Sequence, residues 1–138
     1  MQYYKNDIKE IFCLTDYINN DIVNCVEVEY FKTKKGSSPV EKFIKRQDVE
    51  VQAEIQAEID RFKSLGYEFL WNFPKRGGKI KDMMELKIKS QRKHYRFLFI
   101  FVGEKILFLH GFIKKTRKIN PRDVKLAEQR KKEYLTRR

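Results

Sequence analysis

Hydrophobic and polar positions follow two different rhythms along this 138-residue chain, and each rhythm predicts its own kind of element. Residues 25–31 alternate, with apolar side chains on one side and glutamates on the other, which indicates a half-buried strand. Between Val51 and Leu65 the apolar residues recur every three or four positions, which predicts a helix with one apolar stripe. Asp48 is a candidate cap for this helix, and Gly66 ends it.

Start and turn signals define the remaining elements. Ser38 and Pro39 begin a shorter helix, because serine caps helices and proline suits their first position. Asn120-Pro121 begins a terminal helix by the same logic. Three strand patterns lie between the helices, and Gly103-Glu104 fits a two-residue hairpin turn between the last two. These strands are predicted at residues 83–88, 95–102 and 105–113.

The predicted order is strand, helix, helix, three strands and helix, which is an α+β fold. We expect an N-terminal strand, a helical hairpin, a three-stranded antiparallel meander and a C-terminal helix. The sheet is expected to be antiparallel, with the helices packed on one face. Residues 25–138 form the predicted domain, and residues 1–24 are an N-terminal extension with a weak pattern for a short helix.

Composition excludes several classes of protein. With 41% hydrophobic residues the chain can bury one core without metal or disulfide staples. Its longest apolar run, residues 97–102, is far shorter than the ~20 residues of a membrane-spanning helix. No secretory signal pattern is present, and Cys13 and Cys25 lack metal-ligand spacing. We therefore expect a cytoplasmic protein with reduced cysteines and no membrane partner.

The charge is concentrated in the second half of the chain. Residues 1–72 hold 10 Lys and Arg against 13 Asp and Glu, a net charge of −3, whereas residues 73–138 hold 21 against 6, a net charge of +15. Such a positive field attracts polyanions and speeds their association. Charge alone is equally compatible with nucleic acid, an anionic membrane surface, an acidic protein partner or a solvated lysine-rich face.

The candidate chemistry is cationic. No glycine-rich nucleotide loop, HExxH motif or Cys/His cluster is present, so neither a cofactor nor a metal is expected. If the last three strands are neighbours, Glu85, Lys87, Arg96 and His110 can meet on one face. That cluster can bind a phosphate, stabilise a pentacoordinate phosphorane and move protons without metal. The alternatives are that Arg96 is a structural partner of Glu85 and that His110 is a core histidine.

Ordered motifs in the second half resemble a known family. MELK at 84–87, YRFL at 95–98 and LHGFIKKT at 109–116 precede Pro121 and the terminal helix. This set is similar to the RelE/HigB superfamily of type II toxin–antitoxin toxins, closest to its phage-related HigB-like branch, over residues 25–135. The resemblance implies a RelE-like fold and a metal-independent mRNA endoribonuclease that acts on the ribosome and inhibits translation. It also implies a cognate antitoxin, usually a helix-turn-helix protein, so that operator DNA is contacted only through the toxin–antitoxin complex.

The resemblance also implies site residues, without assigning the general acid or base. The implied catalytic residues are Arg96, His110, Lys87, Glu85 and Lys115. The implied RNA-binding residues are Lys75, Arg76, Lys79, Lys81, Lys114, Arg117 and Lys118. Lys87 takes the place of a family arginine, which keeps the charge and loses the two-pronged guanidinium geometry.

A second class of function fits the same fold and charge. The superfamily also contains ParE-like proteins, which inhibit DNA gyrase and do not cut RNA. The alternative hypothesis is therefore a ParE-like gyrase inhibitor or a non-catalytic nucleic-acid-binding protein. His110 and the adjacent Lys114-Lys115 pair favour the nuclease, because they match the HigB-like branch.

Overall fold

The predicted strands near the carboxyl end form the centre of the molecule. A computed structural model describes residues 26–66 and 82–137 of the chain. The N-terminal extension and the basic loop with Lys75, Arg76, Lys79 and Lys81 lie outside these residues. In chain order the elements are β1 (Val28–Tyr30), α1 (Pro39–Lys45), α2 (Val49–Ser64), β2 (Met84–Ser90), β3 (Lys93–Val102), β4 (Lys105–Lys114) and α3 (Pro121–Arg137).

The α+β fold and its three-stranded meander are confirmed. Strands β2 and β3 pair antiparallel, and so do β3 and β4. Gly103 has a φ of +63° in the turn that joins β3 to β4, a conformation that glycine adopts without steric strain. The glycine-first hairpin turn predicted from the sequence is therefore present.

The sheet is mixed, so the expectation of a purely antiparallel sheet is wrong. Its strand order is β1-β4-β3-β2, and β1 pairs parallel to β4 with Val28 opposite Ile106. The chain leaves β1 and passes through both helices of the hairpin before it enters the meander. Parallel neighbours require a crossover connection of this kind.

The expectation that all helices pack on one face is also wrong. Helices α1 and α2 cover one face, where Val40 and Ile55 are buried in the larger core cluster. Helix α3 covers the other face, where Ala127 joins a second cluster with Leu98 and Leu107. Consecutive residues of β3 are buried on opposite faces, so each face needs its own cover.

The helix boundaries follow the predicted signals, although the capping contacts differ. Ser38 and Asp48 occupy the N-cap positions of α1 and α2, but neither side chain makes a capping hydrogen bond. At α3 the backbone N–H of Arg122 donates to Asn120 Oδ1 at 2.9 Å. Within residues 26–66 and 82–137, no helix is both long and apolar enough to cross a membrane.

Candidate functional site

A β-bulge in β4 brings His110 to the same sheet face as Arg96. Phe99 is paired with Phe108, but Leu98 is paired with His110, so Leu109 is the extra residue. Regular pairing from the Gly103 turn would place His110 opposite Phe97 and point it to the other face. The bulge re-aims the side chain, as bulges commonly do.

Strand register places four candidate residues on this face, which is also the face that α3 covers. Glu85 is opposite Leu98, which is opposite His110, and in the next row Lys87 is opposite Arg96. Side chains two residues apart on a strand point the same way, so both rows present their candidates to one side. Strand geometry separates the rows by ~6.7 Å along the sheet.

Glu85, Arg96 and Lys87 form a charged group that ranges from fully buried to solvent-exposed. Arg96 Nε lies 3.5 Å from Glu85 Oε2, and Lys87 Nζ lies 4.0 Å from Glu85 Oε1. The Glu85 side chain is 1% exposed and that of Arg96 is 11% exposed, whereas that of Lys87 is 58% exposed. Arg96 also donates from Nη1 to the Tyr95 carbonyl oxygen at 3.2 Å. Arg96 thus has a buried carboxylate partner, as expected from the alternative that Arg96 is a structural partner of Glu85. Lys87 is the cation of this group that is most exposed to solvent.

His110 is held between two side chains of α3. Its Nε2 lies 2.8 Å from Asp123 Oδ1, and its Nδ1 lies 3.2 Å from Arg130 Nη1. Arg130 Nη1 also donates to the Leu109 carbonyl oxygen at 2.9 Å, and the imidazole stacks on Phe112 with ring centroids 5.3 Å apart. Each imidazole nitrogen therefore has a partner in this arrangement.

The surroundings of His110 favour its neutral form. Burial is the largest influence and lowers the pKa of the imidazole, and the nearby Arg130 charge lowers it further. The hydrogen bond and the charge of Asp123 act in the opposite direction without overcoming the burial. A histidine with this pKa is uncharged at neutral pH and can accept a proton if one nitrogen is released.

Asp123 and Arg130 were not among the candidates from the sequence. They are seven residues apart on α3, a spacing that places two helical side chains on the same face. That spacing was the available signal, but it does not reveal that the face meets His110. The contact depends on the β4 bulge and on α3 packing against the far side of the sheet.

The other predicted cations that the structure describes lie at the end of β4 and in the segment that follows it. Lys114 ends β4 opposite His94 and is partly exposed. Lys115, Arg117 and Lys118 follow in a segment between β4 and α3 that is largely exposed. This position suits contacts with successive phosphates, and it does not bring Lys115 into the buried Glu85–Arg96 group.

Comparison with known proteins gives one finding. A family model described as phage derived protein Gp49-like (DUF891) matches residues 42–132, about two thirds of the chain. The match begins in α1 and ends in α3, so it includes the whole meander and every site residue discussed above within the described part. No curated protein and no solved structure gave a significant match.

Proposed function

The chain belongs to the phage-derived Gp49-like family, which is associated with toxins of toxin–antitoxin pairs, and from this premise we propose that it is a ribosome-dependent mRNA endoribonuclease. The family implies an antitoxin partner. In this proposal the enzyme works without metal in the cytoplasm, and messenger RNA on the ribosome is its substrate. The cognate antitoxin is a helix-turn-helix protein that neutralises it.

The observation that carries the proposal is the convergence of Arg96, Lys87, Glu85 and His110 on one sheet face. RNA supplies its own nucleophile, the 2′-hydroxyl. In the proposed step the 2′-oxygen loses its proton and attacks phosphorus, the bond to the 5′-oxygen breaks, and the 5′-oxygen gains a proton. Arg96 and Lys87 stabilise the charge that develops on the phosphorane. Lys114, Lys115, Arg117 and Lys118 hold the neighbouring phosphates.

The test is induction of the protein in bacteria, followed by primer extension on several messages. A single Arg96→Ala variant is a weak probe, because it leaves Glu85 buried without its guanidinium partner. Breaking a buried ion pair from one side costs about 3–5 kcal/mol, so loss of toxicity can then reflect unfolding. The double variant Glu85→Gln/Arg96→Met removes both charges, so neither residue is left as an unpaired buried charge. We expect it to fold and to leave messages uncut.

A matched control uses an exposed ion pair on α2. Arg61 and Glu58 are paired there, with the Arg61 side chain 72% exposed. The variant Glu58→Gln/Arg61→Gln should retain both folding and cleavage. Intact messages after induction of folded wild-type protein would refute the proposal. Continued cleavage by the Glu85→Gln/Arg96→Met variant would refute the assigned site.

The second candidate function is gyrase inhibition or non-catalytic nucleic-acid binding. One observation favours it, namely that the proposed catalytic side chains are already paired with one another or with α3. Arg96 is paired with Glu85, and both nitrogens of His110 have partners, so the resting arrangement of these three residues offers no uncommitted base. A ParE-like inhibitor needs only a surface for its target. Induction would then trigger DNA-damage signalling while messages stay intact, the reverse of the pattern expected for a ribonuclease.

A further inference from the structure

The buried contacts of His110 determine which of its nitrogens carries the proton. A guanidinium group only donates hydrogen bonds, so Nδ1 must accept from Arg130 Nη1 at 3.2 Å. An ionised carboxylate only accepts, so Nε2 must donate to Asp123 Oδ1 at 2.8 Å. Both contacts therefore require the neutral tautomer with its proton on Nε2. Only 12% of the His110 side chain is exposed, so solvent contributes little to this choice.

We propose that Asp123 and Arg130 are positioning residues for His110: Asp123 fixes the proton on Nε2, and Arg130 covers the basic Nδ1 until the RNA 2′-hydroxyl replaces it. This inference rests on the proposed ribonuclease function and adds to it the atom that receives the proton. An Asp that accepts from one imidazole nitrogen and thereby leaves the other as the base is an arrangement used by hydrolases on unrelated folds.

Arg130 can leave Nδ1 without losing all of its contacts. It also donates to the Leu109 carbonyl oxygen at 2.9 Å, and its guanidinium carbon lies 5.8 Å from the centre of the Phe31 ring. Guanidinium has five N–H donors, so a small rotation can keep these contacts and turn other donors to a phosphate. A bound phosphate would therefore draw Arg130 away from the nitrogen that the 2′-hydroxyl needs.

The proton balance of the step is simple. The 2′-hydroxyl gives its proton to Nδ1 as the bond between the 2′-oxygen and phosphorus forms. The bond between phosphorus and the 5′-oxygen breaks, and the 5′-oxygen takes a proton from water. The imidazolium, now protonated on both nitrogens, is stabilised by Asp123 and later returns its proton to solvent. No oxidant, reductant or metal is required.

Charged groups from three elements surround this histidine. Asp123 and Arg130 face it from α3, while Glu85 on β2 and Arg96 on β3 share its sheet face as a pair. Phe112, two residues further along β4, stacks on the ring. Because Asp123 raises the pKa of His110 and Arg130 lowers it, removing either one should move that pKa in a direction that identifies it.

The direct test is NMR of the imidazole nitrogens. The chain has two histidines, so a His94→Gln variant assigns both sets of signals. We expect His110 at neutral pH to carry its proton on Nε2 alone. Asp123→Asn should lower the pKa of His110, and Arg130→Gln should raise it. A proton on Nδ1, or a titration that neither variant changes, would overturn the proposal.

The second test is the pH profile of mRNA cleavage on purified ribosomes. A base must be unprotonated, so the rate falls as pH drops through the pKa of His110. Asp123→Asn should move that acidic limb to lower pH and reduce the maximal rate about 100-fold. Arg130→Gln should move the limb to higher pH. Asp123→Glu and Arg130→Lys, which retain the acceptor and the donor, should restore part of the wild-type behaviour.

Control variants separate positioning from structure and from failure of the proposed function. Asp48→Asn and Arg61→Gln change residues of the helical hairpin by the same chemistry, and their pH profiles should match that of the wild type. All folded variants could keep the acidic limb of the wild-type pH profile and differ only in thermal stability. In that case the contacts of Asp123 and Arg130 with His110 are structural, and the proposal is wrong. If the wild-type protein cuts no message, both the proposed function and the proposed proton transfer are refuted. The NMR result still decides whether Asp123 and Arg130 set the tautomer.

Discussion

At the scale of single residues, the candidate site separates a buried charge from an accessible one. Arg96 and Glu85 are almost fully buried and paired, whereas most of the Lys87 side chain is open to solvent. A buried ion pair holds its charges in fixed positions and supplies a fixed electrostatic field, while an exposed cation can follow a mobile phosphate. In the proposed reaction Lys87 therefore makes the adjustable contact and Arg96 the fixed one.

Replacing Lys87 by arginine should increase ribosome-dependent mRNA cleavage several-fold. The guanidinium group can bind two phosphate oxygens at once, which a single ammonium does not do. Cleavage rates on purified ribosomes measure the effect, with Lys89→Arg on the same strand as the control. An unchanged or slower rate for Lys87→Arg would show that Lys87 does not contact the scissile phosphate.

At the scale of elements, β4 sets the geometry of the site. Its bulge at Leu109 turns His110 to the α3 face, and Gly111 follows at once on the opposite face. A methyl group on Gly111 would lie 2.7 Å from a ring carbon of Phe97 and 3.0 Å from one of Phe43. Glycine is therefore required where α1 approaches the sheet closely.

Gly111→Ala should lower the free energy of unfolding by about 1–3 kcal/mol, because the buried Phe97 ring and the partly buried Phe43 ring must move. Urea unfolding measures the change. Gly103→Asn is the control, since nothing lies within 4 Å of a Cβ there and asparagine tolerates the positive φ. Equal stability of Gly111→Ala and the wild type would mean that the Phe97 and Phe43 rings yield without strain.

The backbone of the turn between β2 and β3 is strained, so substitutions in it can raise the stability of the fold. Gln91 and Arg92 have φ values of +49° and +66°, which non-glycine residues rarely adopt. The double variant Gln91→Asn/Arg92→Gly should stabilise the fold by about 1 kcal/mol, because an asparagine followed by a glycine favours this hairpin turn. A rise in the urea midpoint is the expected readout, and Arg92→Lys should leave it unchanged. A lower midpoint for the double variant would contradict the strain argument.

At the scale of the whole molecule, the two faces of the sheet serve different purposes. The face under α1 and α2 is apolar along the meander, whereas the face under α3 holds the charged candidates beside a smaller core. Helix α3 therefore supplies both packing, through Ala127, and polar contacts, through Asp123 and Arg130. Its attachment to the sheet should consequently respond to the protonation of His110.

Stability should decrease as pH falls below about 6.5, the ordinary pKa of histidine. Burial lowers the pKa of His110 in the folded state, so the unfolded state binds more protons in this range and is favoured. Urea unfolding at pH values of about 7.5 and about 5.5, on either side of that ordinary pKa, measures the difference. His110→Gln should weaken this pH dependence, and His94→Gln should retain it. If stability changed equally with pH in both variants, His110 would be excluded as the source of the pH dependence.

Local signals in the sequence predicted the elements well and their assembly in part. The apolar runs at residues 95–102 and 105–113 predicted β3 and β4, and Gly103 predicted their turn, because these signals are local. The parallel pairing of β1, the placement of α3 on the far face and the bulge at Leu109 depend on tertiary packing. Glu85, Lys87, Arg96 and His110 were predicted to share a face, yet regular pairing would have separated His110 from the others. Asp123 and Arg130 were missed for the same reason.

The parallel pair of β1 and β4 has a consequence for synthesis of the protein. Val28 meets Ile106, and near the end of α3 the Tyr134 hydroxyl donates to Glu29 at 3.1 Å. A growing chain cannot close these contacts until almost all described residues have emerged, and such distant pairings form slowly. The sheet can therefore close only after β4 and most of α3 have been synthesised. For the toxin proposed above, this order of assembly leaves an interval during synthesis in which an antitoxin can bind the newborn chain before the site is formed.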